Sequence, residues 1–273
     1  MEVGKNTADF SLLQNFSQSV SNIFKHFEMI KFLVTSQLKQ SHQNLILGYL
    51  WWIINPLFSV GVYWLLISVI FHRGREYYPL FLSCAILPWK AFAVSVGQSI
   101  TCISSQSKII KQISFPKSVL PVSVVLANTI DLLISMVVLV AIALFYGIIP
   151  SINIIYLPLI ILTQVVFTLG LSFIFSVIGL FFLDINNMLQ FILRVWLYLS
   201  PSLYGIDRIP ERFRDIFMLN PFAPIFISYR NVIMYGKPPD FNNLMLAFFI
   251  SILTLFFGLY IFTKIEYKMA KII

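Results

Sequence analysis

Residues 132–144 read Leu-Leu-Ile-Ser-Met-Val-Val-Leu-Val-Ala-Ile-Ala-Leu, and this stretch decides the fold class. It has neither the alternation of a half-buried strand nor the one-sided stripe of a surface helix, so every face must meet lipid or another helix. Around it, residues 119–147 hold a single charged side chain, Asp131. A hydrocarbon core of about 30 Å needs about 20 such residues in a helix. Comparable blocks lie at 50–71, 79–103, 154–181, 186–204 and 242–263. The chain therefore reads as an all-α integral membrane protein with six transmembrane helices. Composition agrees: 59% of the 273 residues are hydrophobic and 11% charged, against about 25% charged in a soluble domain. Mean hydropathy is +0.86.

Outward from these blocks the chain divides in two. Residues 1–45 are expected to be a cytoplasmic N-terminal segment, and residues 46–273 the six-helix transmembrane domain. Val20, Ile23, Phe24, Phe27, Ile30 and Val34 recur at helical spacing opposite Ser21, Asn22, Lys25, Glu28 and Lys31. That pattern predicts an amphipathic helix over 20–40 lying in the membrane interface. Residues 1–19 lack the apolar run of a signal peptide, so the first span is expected to serve as the insertion signal.

Residues 205–241 are apolar in places, but Asn220, Pro221, Pro224 and Arg230 interrupt any full crossing. Backbone that enters a membrane without completing a helix survives where protein or a cavity surrounds it. Two short re-entrant outer helices between spans five and six are the reading. The net charge of +8 is topological, because Lys and Arg gather in cytoplasmic loops, and it calls for no nucleic acid. Lys5, Lys25, Lys31, Lys39, Lys108, Lys111, Lys117, Lys264, Lys268 and Lys271 fall on one side. Arg73, Arg75, Arg208, Arg212, Arg214, Arg230 and Lys237 fall on the other. This favours both termini in the cytoplasm.

Lys90, Asn128, Asp131 and Arg194 fall inside spans, where a charge costs at least about 2.5–3.5 kcal/mol and usually faces a bundle interior or a cavity. Asp131 and Arg194 lie at similar depth, so they are expected either to pair or to leave Arg194 facing an anionic group on the transport path. Trp51, Trp52, Tyr63, Trp64, Trp89, Tyr198 and Tyr204 are candidates to line a glycan path by stacking on sugar rings. Cys84 and Cys102 have no ligand partners nearby in sequence, and read as small buried residues. No catalytic constellation, metal motif or phosphate loop of the GxxxxGK[ST] type is present. If ATP drives this protein, a separate subunit hydrolyses it, and ATP and magnesium bind there.

Three stretches carry a family likeness: LGYLWWIINPL (47–57), ILPWKAFAVSVGQSITCISSQSKIIKQISFPKSVLP (86–121) and YLSPSLYGIDRIPERFRDIFMLNPFAPIFISYRNVIMYGKPPD (198–240). Together they resemble the membrane subunits of ABC-type polysaccharide exporters, which handle O-antigen, capsule and teichoic acid polymers. The chain departs from the family pattern where His42 and Leu45 replace a Tyr and a Ser, and where Leu183-Asp184 stands for an Arg-Asp pair.

The resemblance implies a homodimer in the bacterial cytoplasmic membrane, two cytoplasmic ATPase subunits, and a lipid-linked polysaccharide passing along the dimer interface. It implies that Lys108, Lys111, Phe115 and Pro116 lie near the ATPase contact, with Asp184 making a smaller one. It assigns Pro201, Tyr204, Pro210, Asn220, Pro221 and Arg230 to an outer gate. A lipid or drug permease of the same class, an ion-coupled secondary transporter and a membrane enzyme for lipid-linked intermediates are the alternatives.

Overall fold

The computed structural model describes residues 25–42, 50–70, 72, 77–113, 115–182 and 184–272. Ten helices are numbered here: α1 Phe27–His42, α2 Trp51–Trp64, α3 Tyr78–Ser105, α4 Ser107–Gln112, α5 Val119–Phe145, α6 Leu157–Phe181, α7 Ile185–Leu199, α8 Glu211–Met218, α9 Phe222–Ile233 and α10 Phe241–Ile272. The expected helix over 20–40 is represented by α1, whose Ile30, Leu33 and Val34 are buried on one face. Val20, Ile23, Phe24, Leu45, Arg73, Arg75, Leu183 and the boundary at 45/46 lie outside the described residues.

Among the described residues, five helical segments are long and apolar enough to cross a membrane: Trp51–Val69, Tyr78–Ser105, Val119–Phe145, Ile152–Phe181 and Phe241–Glu266. The expected span at 186–204 differs. It is helical only over the 15 residues of α7, about 22 Å at 1.5 Å per residue. Pro201 is the cause, because the residue before a proline is pushed out of the helical region. Ser200 accordingly has φ −90° and ψ 151°. The chain then continues without helix to Leu203, whose carbonyl accepts a 2.7 Å hydrogen bond from Tyr78 Oη at the first turn of α3. Helix and turn together thus run nearly the height of α3.

Side-chain pairs fix the directions of the helices. Gln164 Nε2 donates to the Pro88 carbonyl at 2.8 Å, and a Cβ on Gly179 would collide with Ile100, so α3 and α6 run parallel. Tyr156 meets Phe241 at 5.3 Å and Phe173 meets Phe262 at 5.2 Å, so α6 and α10 are parallel too. Between those last contacts the backbones touch: a Cβ on Gly170 would lie 2.6 Å from Leu255 N, and one on Gly258 would strike the Gly170 carbonyl. Small residues at a helix contact let dispersion and weak polar contacts hold helices together where lipid supplies no hydrophobic drive. α5 runs against α3: Asn128 Nδ2 donates to Gln98 Oε1 at 2.8 Å, and the Tyr77 and Tyr146 rings beyond their other ends meet at 5.4 Å.

The segment between α7 and α10 is a hairpin that enters from the α3 N-terminal end, turns at Asn220-Pro221 and returns as α9. Its tip reaches the middle of α3, where the Phe222 ring lies 4.5 Å from Phe92, 4.9 Å from Trp89 and 5.9 Å from Trp196. This is the re-entrant arrangement expected for 205–241.

Candidate functional site

α7 carries three arcs. Leu189, Leu193 and Leu197, four residues apart, are buried against the bundle. Met188, Phe191, Ile192, Val195 and Leu199 are exposed and apolar. Between these arcs runs a polar stripe at the same four-residue interval: Asn186, Gln190, Arg194 and Tyr198. A spacing of four turns a helix by 40° beyond a full circle, so the four side chains form one slowly winding row.

Tyr63 of α2 joins that row, lying close to Tyr198 and within electrostatic reach of Arg194. Tyr204 Oη donates to the Tyr198 carbonyl at 3.1 Å, closing the top of α7. Gln190 passes so near Gly97 that a Cβ there would lie 2.8 Å from its Nε2. The gap between α2 and α7 therefore gathers Tyr63, Arg194, Tyr198 and Tyr204 of the candidate path residues. Asn186 and Gln190 were missed by the sequence reading, although their four-residue interval was visible in it.

The other candidate path residues lie elsewhere. Trp51 and Trp52 line a 130 Å³ cavity between α2, α3 and α5 with Lys90, Asn128 and Asp131. Trp64 lines an apolar groove of 720 Å³ between α2 and α5, away from α7. Trp89 is 5% exposed and packs in the aromatic cluster around Phe222, so its ring meets protein on its faces. The structure places Lys90, not Arg194, in the cavity with Asp131, and the two charges interact.

Of the residues expected at an outer gate, Arg230 and Asn220 are both bonded to the segment that follows α7. Arg230 of α9 is 2% exposed. Its guanidinium donates to the carbonyls of Pro201 and Ser202 at 2.7 Å each and of Phe81 at 3.3 Å. It also stacks 3.6 Å from the Phe81 ring centroid. Asn220 accepts from Trp196 Nε1 at 3.1 Å and donates to Ser200 Oγ at 2.8 Å. Pro210 and Pro221 stand at the N-caps of α8 and α9, where a backbone N–H would have no partner within the helix. Arg230 and Asn220 thus tie the hairpin to the non-helical end of α7.

At the opposite end of the bundle, α4 exposes Lys108 and Lys111 while burying Ile110. Phe115 was expected near a partner surface, but it is 5% exposed and packs into the lower core with Ile30, Ile103 and Phe262. Its ring anchors the loop instead. Pro116 is half-buried, and the next residue's backbone N–H, that of Lys117, donates to Glu266 Oε1 of α10. Ile113, 57% exposed, offers an apolar contact between the basic helix and that anchor. Because α3 and α6 run parallel, exposed Asp184, just beyond the end of α6, lies at the same end as α4.

Residues 28–234 match the model of the ABC-2 type transporter family. The chain belongs to that family. It is similar to the O-antigen export system permease protein RfbA of Klebsiella pneumoniae, with 33% identity over 248 residues, 90% of this chain and 95% of the relative. An RfbA of Myxococcus xanthus is 28% identical over 254 residues, covering 92% and 98% of the two chains. The polysialic acid transport protein KpsM of Escherichia coli is 22% identical over 230 residues, covering 82% and 88%. The matched region takes in α2 to α9, so the α2–α7 gap, the hairpin and the α4 loop all belong to the family's shared part.

Proposed function

We propose that this chain is the permease of an ATP-driven exporter that carries a lipid-linked polysaccharide across the bacterial cytoplasmic membrane. The observation that carries the reading is the polar stripe of α7 beside Tyr63, on a helix packed among membrane spans. An arginine at mid-span facing lipid would cost about 2.5–3.5 kcal/mol or more. A second copy of the chain placed against this face removes the lipid and encloses a tunnel between two such stripes. Amides, hydroxyls and aromatic rings along it suit a polymer that must slide without being held at one sugar. The relatives named as O-antigen and polysialic acid transporters support the same substrate class.

ATP and magnesium act on two separate ATPase subunits that dock at the α4 end, which places both termini and α4 in the cytoplasm, with six passes in all. Lys108, Lys111 and Ile113 form the contact, with Asp184 beside them. Phe115 and the Lys117–Glu266 bond transmit its motion to the lower core and α10. The test is deletion of the gene with complementation. Surface glycan is lost on deletion, returns with the wild-type chain, and the tagged chain co-purifies with a nucleotide-binding subunit. Normal surface glycan in the deletion strain refutes the substrate class. Loss of an ion gradient, rather than of the ATPase, abolishing transport would favour the secondary-transporter reading.

A further inference from the structure

Docking of α1 on α3 and α5 creates a cleft of 530 Å³ that belongs neither to the α2–α7 gap nor to the hairpin. Gln37, Gln98, Thr101, Ser105, Asn128 and Asp131 supply most of its polar lining. Asn128 and Asp131 also line the 130 Å³ cavity of Trp51, Trp52 and Lys90, so that pair forms a wall common to the two spaces. The volume lies within the range of small-molecule sites.

The chemistry of the walls selects an occupant. An acyl chain would strip water from the donor and acceptor capacity that this polar wall keeps beyond its internal hydrogen bonds, at a cost for each group. A phosphate would meet no Lys or Arg in the larger cleft among the described residues, and would face the Asp131 carboxylate. A polyol fits, because amide and hydroxyl side chains both donate and accept, as sugar hydroxyls do.

We propose that the cleft between α1, α3 and α5 binds a neutral saccharide unit along its Gln98–Thr101 wall. This inference rests on the polysaccharide reading above and adds a binding site within one protomer. The sugar comes from a glycan end or from a glycolipid head group; both share this chemistry.

The test uses the full chain in lipid nanodiscs and an alkyl glucoside bearing a diazirine on its sugar, with adducts mapped by peptide mass spectrometry. Adducts are expected within 98–106 and 120–131. They fall about fivefold in Gln98→Leu and in Thr101→Val, the loss of about one hydrogen bond. Both positions are exposed in the cleft wall, and either variant suffices if the other does not fold. A diazirine-bearing phosphocholine of equal chain length is expected to leave these peptides unlabelled. Competition by free maltohexaose assigns the site to a glycan end; labelling that resists it assigns the site to a lipid-borne sugar. Equal labelling by the phosphocholine, or labelling undiminished in both variants, overturns the proposal. Glycan export is read separately in cells, so a cleft that ignores the glucoside in an exporting protein refutes this site and leaves the permease reading standing.

Discussion

Replacing Arg230 tests the join between the hairpin and α7. The guanidinium makes three hydrogen bonds, to the carbonyls of Phe81, Pro201 and Ser202, and stacks on the Phe81 ring. Arg230→Lys keeps the charge, but an ammonium on a flexible stem does not reproduce a planar fork. It reaches one of the three acceptors well. Losing two charged hydrogen bonds at about 1.5–3 kcal/mol each sums to about 3–6 kcal/mol. Arg230→Met removes the buried charge but leaves all three carbonyls without this donor, so it is expected to cost at least as much as Lys.

The assay is thermal aggregation of the detergent-solubilised chain followed by size-exclusion chromatography, alongside glycan export in cells. The expected order of stability is Arg, then Lys, then Met, with export falling in the same order. Phe81 and Pro201 sit on different elements, so the damage localises to the hairpin end, and protease cleavage within 205–221 rises first. Wild-type melting and export in Arg230→Met would refute the reasoning, as would a lysine variant equal to wild type.

Further substitutions probe the other joins. Gly258→Val drives its side chain into the Gly170 carbonyl, and overpacking of that kind costs about 1–3 kcal/mol or more; the variant accumulates poorly in membranes, whereas Gly61→Ala, with open space around it, accumulates normally. Lys108→Glu with Lys111→Glu leaves the melting temperature unchanged and lowers co-purification of the ATPase. Phe115→Ala does the reverse first, losing about 3–5 kcal/mol of packing before docking is read. Gln190→Leu, exposed on α7, keeps the fold and reduces glycan export; full export in that variant would remove the stripe from the path.

Much of the fold is legible without coordinates. The 132–144 stretch has no polar face, so no arrangement in water satisfies it, and the helix that holds it, Val119–Phe145, is long enough to cross a bilayer. The prolines and Asn220 forbid a full crossing at 205–241, and the hairpin follows. α7 is a harder case. Its apolar content over 186–204 resembles a full span, but Pro201 stops the helix at Leu199, and hydropathy averaging does not register a missing backbone donor. The site was legible in part. Lys108, Lys111, Tyr63, Tyr198, Arg194 and the hairpin residues were visible as types in a pattern, and four of the eight path candidates do meet between α2 and α7.

Which residue meets which was not in the pattern. Asp131 shares a cavity with Lys90 because α3 and α5 pack directly, while Arg194 rides on α7 beside Tyr63. Trp89 within its span and Phe115 in its loop look, as sequence, like any membrane-protein aromatic, and only packing shows that both are enclosed. The sequence alone determined that the chain lives in a bilayer, roughly where most of its long helices lie, and that one segment turns back, because these depend on hydropathy and local backbone chemistry. The tertiary structure decided which faces are spent on the core and which are left for a partner or a substrate. That choice depends on contacts between residues far apart in the chain, such as Gly170 with Gly258 and Arg230 with Phe81.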